Sequence, residues 1–175
     1  MDINQIENNI EALLNSFSEE NFIYGLLAAY GLPNAAVTRL RNGEYNLSKD
    51  KNRILWKKRV CYQIQKTGDL HSTIDEIKKT PAIAKQHPRF IIVTDFNTLL
   101  AIDTENSDTL DIPLKDLARH FDFFLPWAGM EKSQLQRENP ADIKAAERMG
   151  RLYDLILEEN PIESEEQRHS LNVFF

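Results

Sequence analysis

The chain has 175 residues, 42% hydrophobic and 27% charged, enough for one folded unit with a core and the start of a second. No run approaches the ~20 apolar residues of a membrane helix. The polar, acidic start MDINQIENN is unlike a secretory signal, and the lone Cys61 excludes an internal disulfide, so the cytoplasm is the expected compartment. Net charge is −6, yet the stretch from Arg39 to Lys66 carries +7 and the remainder −13. Such a stretch is either a solvated face or a phosphate-facing patch.

Ile3, Ile6, Ile10, Leu13, Leu14 and Phe17 recur at helical spacing behind Asp2, which predicts an amphipathic helix capped by that aspartate. A second helix is expected to begin after Ser18, with Glu19 and Glu20 in its acid-favouring first turn, and to stop at Gly31 before Pro33. A third, short helix follows with Asn34 as its cap and Gly43 at its end. Then the period changes. RILWKKRVCYQIQ is rich in β-branched and aromatic residues, with Val60, Tyr62 and Ile64 alternating against Cys61, Gln63 and Gln65, and reads as a hairpin or one long bent strand.

Asp69 is placed to cap a helix through Lys79, with Leu70, Ile74 and Ile77 on one face and Pro81 marking its end. FIIVTDFNTLLAID is two short apolar runs around a polar turn, a buried hairpin, and TLDIPL adds an edge strand. Leu114–Leu125 reads as one or two short helices ended by Pro126. Asn139-Pro140 opens the longest helix, with Ile143, Ala146, Met149, Leu152, Tyr153 and Ile156 on one stripe. Ser164 and Gln167 have capping-box spacing for a last helix running into LNVFF, an apolar finish that reads as part of something longer. The polar stretch Glu131 to Asn139 divides an α/β part, residues 1–130, from a helical tail, residues 131–175.

The sequence contains neither a GxxxxGK[ST] phosphate loop nor a GxGxxG turn, and no Cys or His pair has metal-site spacing. His71, His87, His120 and His169 are scattered and read as ordinary polar residues. Arg59, two positions from Cys61 on a strand, would lower the thiol pKa, against the simpler reading of a small core residue. Two motif mimics occur. Glu76-Ile77-Lys78 has the letters of a nuclease Glu-x-Lys but falls on a helix, away from any strand-borne Asp. PNAAVTRLRNG has the form of a recognition helix, behind a break tighter than most.

Taken in order, FIYGLLAAYGLPNAAVTRLRNGEYNLS, ILWKKRVCYQIQK, PRFIIVTDFNTLLAID, LDIPLKDLARHFDFFLPWAGME and NPADIKAAERMGRLYDLILEENP with RHSLNVFF resemble the N-terminal region of MmeI-like DNA methyltransferases. The resemblance implies a restriction-endonuclease-like α/β core with a small mixed sheet flanked by helices, followed by the start of a helical connector. It also implies a parent protein with S-adenosylmethionine-dependent adenine methyltransferase and target-recognition domains downstream, acting on DNA in a restriction-modification system. The Asn/Asp-Pro-Pro-Tyr/Phe methyltransferase loop does not occur here.

In cutting members the nuclease core reads Asp, nine residues, Glu, one residue, Lys. Carried over, the Glu position is Ile64, the Lys position is Lys66, and the Asp position is Ile54, or Arg53 if the register slips. Without two anions there is nothing to hold Mg²⁺, so the resemblance implies a non-cleaving domain with no catalytic residue, no metal and no cofactor of its own. Arg39, Arg41, Lys57, Lys58, Arg59 and Lys66 are then the expected DNA-backbone contacts. Two other readings stay open: an active nuclease using carboxylates such as Asp95 or Asp103, and an interaction module that does not touch DNA.

Overall fold

The computed structural model describes residues 2–130 together with Arg148, Met149 and Arg151. The chain divides into two units, Met1–Met130 and Glu131–Phe175, and the sheet with its flanking helices belongs to the first. The long helix expected after Pro140 and the capping box at Ser164 lie outside the described residues, apart from helical Arg148, Met149 and Arg151.

Helix α1 spans Ile3–Asn15, and Asp2 caps it by accepting from the Gln5 amide at 2.8 Å. Helix α2 spans Phe22–Ala29, three residues later than expected. A turn closed by the Asn21 amide on the Ser18 carbonyl and by the Asn21 side chain on Ser18 Oγ, both 3.1 Å, holds Glu19 and Glu20 outside the helix. The two helices pack closely at Gly25, where a Cβ would come within 2.4 Å of Leu13 Cδ1. Helix α3 spans Asn34–Arg41, with Asn34 as its first helical residue instead of its cap, since Pro33 takes the flanking position. Gly43, at φ +89°, turns the chain out of α3 where a side chain would be strained.

Strands β1 (Arg53–Trp56) and β2 (Val60–Ile64) form a hairpin, the first of the two expected arrangements and not one long bent strand, and β3 (Phe90–Thr94), β4 (Thr98–Asp103) and β5 (Thr109–Pro113) complete a five-stranded sheet in the order β1-β2-β3-β4-β5. Only β2 and β3 are parallel. A parallel pair needs a crossover, which α4 (Leu70–Lys79) and α5 (Pro81–Ala84) provide. Asp69 caps α4 through the His71 and Ser72 amides, at 3.2 and 3.0 Å. Pro81 does more than end α4: after extended Thr80 it opens α5, where its fixed φ suits the first helical position.

Strand alternation sorts the core onto two faces. Leu55, Cys61, Ile91, Val93, Leu100 and Ile102 meet Ile74, Ile77 and Ile83 of α4 and α5. The opposite face is aromatic: Phe90 lies 5.0 Å from both Phe124 and Trp127, and Tyr62 lies 6.3 Å from Phe22, centroid to centroid. Phe124 and Trp127 belong to a 3₁₀ segment, Leu114–Ala128, kinked at His120 and continuing through Pro126 to Gly129. Its expected stop at Pro126 is not seen. The amides of Gly129 and Met130 bond instead to the carbonyls of Pro126 and Leu125, at 3.1 and 3.2 Å, and Gly129 takes the left-handed conformation. Tyr30 ties this segment to α2 by donating its buried hydroxyl to the Phe121 carbonyl at 2.6 Å. Among the described residues no helix is long and apolar enough to cross a membrane.

Candidate functional site

The β1–β2 hairpin carries the positions that matter. Its register pairs Ile54 with Tyr62 and Arg53 with Gln63, so Ile54, Tyr62 and Ile64 share the aromatic face while Arg53 points the other way. Arg53 is committed there, donating from Nε to Gln63 Oε1 at 2.7 Å. Of the two positions that the resemblance offers for an aspartate, Ile54 is therefore the one that stands on the same face as Ile64. Diagonal neighbours of this kind sit about 7–8 Å apart, so two half-buried isoleucines occupy adjoining places on one surface.

Lys66, just beyond the end of β2, is held by Glu19 at 2.5 Å, and its ammonium lies 5.9 Å from the Phe96 ring centroid. Both partners of that ion pair are about half exposed or more, so its worth is small, but it fixes where the Lys66 charge is spent. Phe96 holds φ +69° because its turn is bound on both sides. Thr94 Oγ1 accepts from the Phe96 amide at 2.9 Å, and Asp95 accepts from Asn97 and Thr98 at 2.8 and 2.7 Å. Those amides, that of Thr98 first, hold the Asp95 carboxyl below its ordinary pKa.

Ile54, Tyr62 and Ile64 floor a cleft of about 470 Å³, walled by Ile23 and Tyr24 of α2 and by the 46–52 loop, with Glu19 and Glu20 at its mouth. Tyr62 is 1% exposed. Its hydroxyl has no hydrogen-bond partner among the described residues. Burial, and then the nearby charge of Glu19, push its pKa well above that of an ordinary phenol. Neither the cleft nor Glu19's part in it was visible in the sequence, where Glu19 and Glu20 read only as first-turn acids.

The expected DNA-contact residues do not form one patch. Lys57, Lys58 and Arg59 make the turn at the tip of the hairpin, not part of its strands, and all three are exposed. Lys58, at φ 60°, is held by its amide on the Gln86 carbonyl at 2.9 Å. Lys66 lies beyond the other end of β2, roughly 20 Å from Arg59 by strand rise. Arg39 and Arg41 occupy the last turn of α3, where cations complement the helix dipole. Arg39 is engaged with the Tyr45 hydroxyl at 3.1 Å, and Arg41 lies over the Tyr24 ring at 4.9 Å.

Asp95 and Asp103 do not converge either. Asp95 caps the β3–β4 turn, while Asp103, opposite Phe90 at the far end of the pair, is 3% exposed and doubly bonded to Arg89 at 2.7 and 2.9 Å. Cys61 sits fully buried among isoleucines, and burial pushes its thiol up to about 11 despite Arg53, the cation that opposes the shift. The lowering expected from Arg59 does not occur, because Arg59 lies in the exposed turn. His71 faces Asp111 at 3.3 Å on the surface, and His169 lies outside the described residues.

The fold defines an α/β domain whose open mixed sheet is flanked by helices and carries its cleft over the β1–β2 hairpin. By sequence the chain belongs to the family described as MmeI, N-terminal domain, which matches residues 1–159. It is similar to DNA methyltransferase A of Bacillus subtilis (strain 168), 39% identical over 157 residues. That match takes in 90% of this chain and 18% of the relative, so the chain spans about a fifth of the length of the curated protein it matches. No solved structure matches it.

Proposed function

We propose that this chain is a restriction-endonuclease-like domain that does not cut DNA, and that it serves an S-adenosylmethionine-dependent DNA-adenine methyltransferase as a structural and DNA-backbone-contacting part. The observation that carries the reading is the pair Ile54 and Ile64, on one face of the β1–β2 hairpin where the family resemblance puts two metal-holding carboxylates. Mg²⁺ takes oxygen ligands in near-ideal octahedral geometry and is usually held through one or two carboxylates. Two branched hydrocarbons offer it none. Lys66 is left without its partners and forms an ion pair with Glu19 instead.

Contact with DNA falls to the hairpin tip, where Lys57, Lys58 and Arg59 stand together, exposed. The reading carries DNA as partner, methyltransferase and target-recognition domains in the parent protein, and a cytoplasmic site of action. It is tested in two arms. Supercoiled plasmid incubated with the protein and Mg²⁺ or Mn²⁺ stays intact; nicking that follows the protein through purification would overturn the non-cleaving reading. Duplex DNA is retarded at low salt, and K57E/K58E/R59E abolishes the shift. Retardation that survives all three reversals would remove the tip from the proposal.

A further inference from the structure

We propose that the DNA-facing surface continues from the hairpin tip onto the loop between α5 and β3, where Lys85 is a further contact to the phosphate backbone of a duplex. The inference rests on the reading of Lys57, Lys58 and Arg59 as backbone contacts and extends it to a distant segment. Two stretches of the chain are basic and free of carboxylates, residues 51–68 and 78–94. The parallel register of β2 and β3 sets Val60 opposite Phe90, so the residues leading into the two strands, 57–59 and 85–89, emerge at one edge of the sheet. Backbone bonds fasten them together. The Lys58 amide donates to the Gln86 carbonyl at 2.9 Å, and the Phe90 amide to the Arg59 carbonyl at 3.2 Å. Helix α4 crosses back from the far end of β2, so its last turn, with Lys78 and Lys79, ends toward this edge as well.

Lys57, Lys58, Arg59, Lys78, Lys79 and Lys85 are all exposed, and none has an ion pair among the described residues. Lys78 and Lys79 complement the dipole of α4 and add to the field. Lys85 stands beside Gln86, whose carbonyl holds the tip. Arg89, in the same loop, is already spent: it bonds Asp103 at 2.7 and 2.9 Å and pairs with Glu105. That pairing marks a boundary, because Asp103, Glu105 and Asp108 place carboxylates at the β4–β5 turn, where a polyanion is repelled. Strands β1 to β3 cover about 10 Å at their usual spacing, and one strand of a duplex advances about 3.4 Å of axis per phosphate. The edge therefore suits about three successive phosphates, and a lone phosphate would leave most of its cations unmatched. A lipid surface is the poorer partner, since neither lead-in carries an exposed large apolar side chain to enter it.

Fluorescence anisotropy of the 175-residue chain on two labelled duplexes of unrelated sequence, at several salt concentrations, tests it. Lys85→Ala is expected to weaken binding about 5-fold on both duplexes and to flatten the slope of log affinity against log salt by about 1. Lys85→Arg, which keeps the charge, binds as the parent does. Lys115→Ala removes the same charge just beyond Pro113, at the opposite end of the sheet, and leaves affinity and slope unchanged. Both alanine variants keep the parent's urea midpoint, since both lysines are exposed. The inference is overturned if Lys85→Ala binds no worse than Lys115→Ala, if it weakens one duplex alone, or if Lys85→Arg is as weak as Lys85→Ala. Such a result, with K57E/K58E/R59E still abolishing the shift, would leave the tip as the contact without its extension. A parent chain that binds neither duplex at low salt would remove both, and Lys85-dependent sedimentation with phosphatidylserine vesicles in that case would assign the edge to lipid.

Discussion

Under α4 and α5 the sheet is covered by aliphatic side chains that leave no polar atom to satisfy, with Cys61 and Ile77 at 0% and 1% exposure. Under α1, α2 and the 3₁₀ segment the same strands are covered by rings, and at the β1–β2 end a cleft opens over half-buried Ile54 and Ile64, with Tyr62 sealed beneath it. A pleated strand offers alternate side chains to its two faces, so one run of residues can finish a core on one side and build a recognition surface on the other. Cys61 and Tyr62 are neighbours in sequence buried on opposite faces. Ile54 and Ile64, where the proposed reading puts two lost carboxylates, both fall on the open face and take no part in the aliphatic core on the other side.

The sharpest way to break this comparison is to remove volume from each face in turn. Phe124, fully buried against Tyr30, Phe90, Phe123 and Trp127, is expected to cost about 3–5 kcal/mol as Phe124→Ala, and Ile77→Ala about 2–4 kcal/mol, both read from urea unfolding. If Phe124→Ala is nearly silent, the aromatic side is not core. A smaller effect comes from alkali. The folded Cys61 thiol is raised from 9.0 to about 11 by burial, so the stability it contributes is fully present below pH 9 and is lost as pH climbs toward 11. That loss is about 2–3 kcal/mol. Denaturant midpoints measured across this range should fall, and Cys61→Ala should remove the thiol's share of the slope; a thiol that reacts with Ellman's reagent in the native protein at pH 8 would contradict its burial.

The smallest expected effect is the most discriminating. Tyr62→Phe deletes a buried hydroxyl without a described partner, so stability should be unchanged or higher by up to about 1 kcal/mol. A loss of more than about 1 kcal/mol would mean that the hydroxyl already has a protein partner, and the contrast between a satisfied and an unsatisfied face would fail.

Much of this was legible in the sequence because the deciding interactions are local. Asp2 and Asp69 announce their helices since a cap bonds only to amides two or three residues on. The β3–β4 hairpin is written in its two apolar runs and in Asp95, which binds the amides of its own turn. Errors also arose locally, where two signals competed. Glu19 and Glu20 look like first-turn acids, but the Ser18–Asn21 turn delays α2; Pro126 looks like a stop, but its segment is 3₁₀ and runs to Gly129.

By itself, then, the sequence determined the order and kind of most elements, the α/β class and the family, because each follows from spacing and from residues near one another along the chain. Only the tertiary structure decided that Ile54, not Arg53, shares a face with Ile64, that Lys66 is spent on Glu19, and that Tyr62 lies beneath a cleft. Those facts join groups as far apart as Glu19 and Lys66, 47 positions in the chain, and packing sets them. No periodicity encodes where two distant side chains meet.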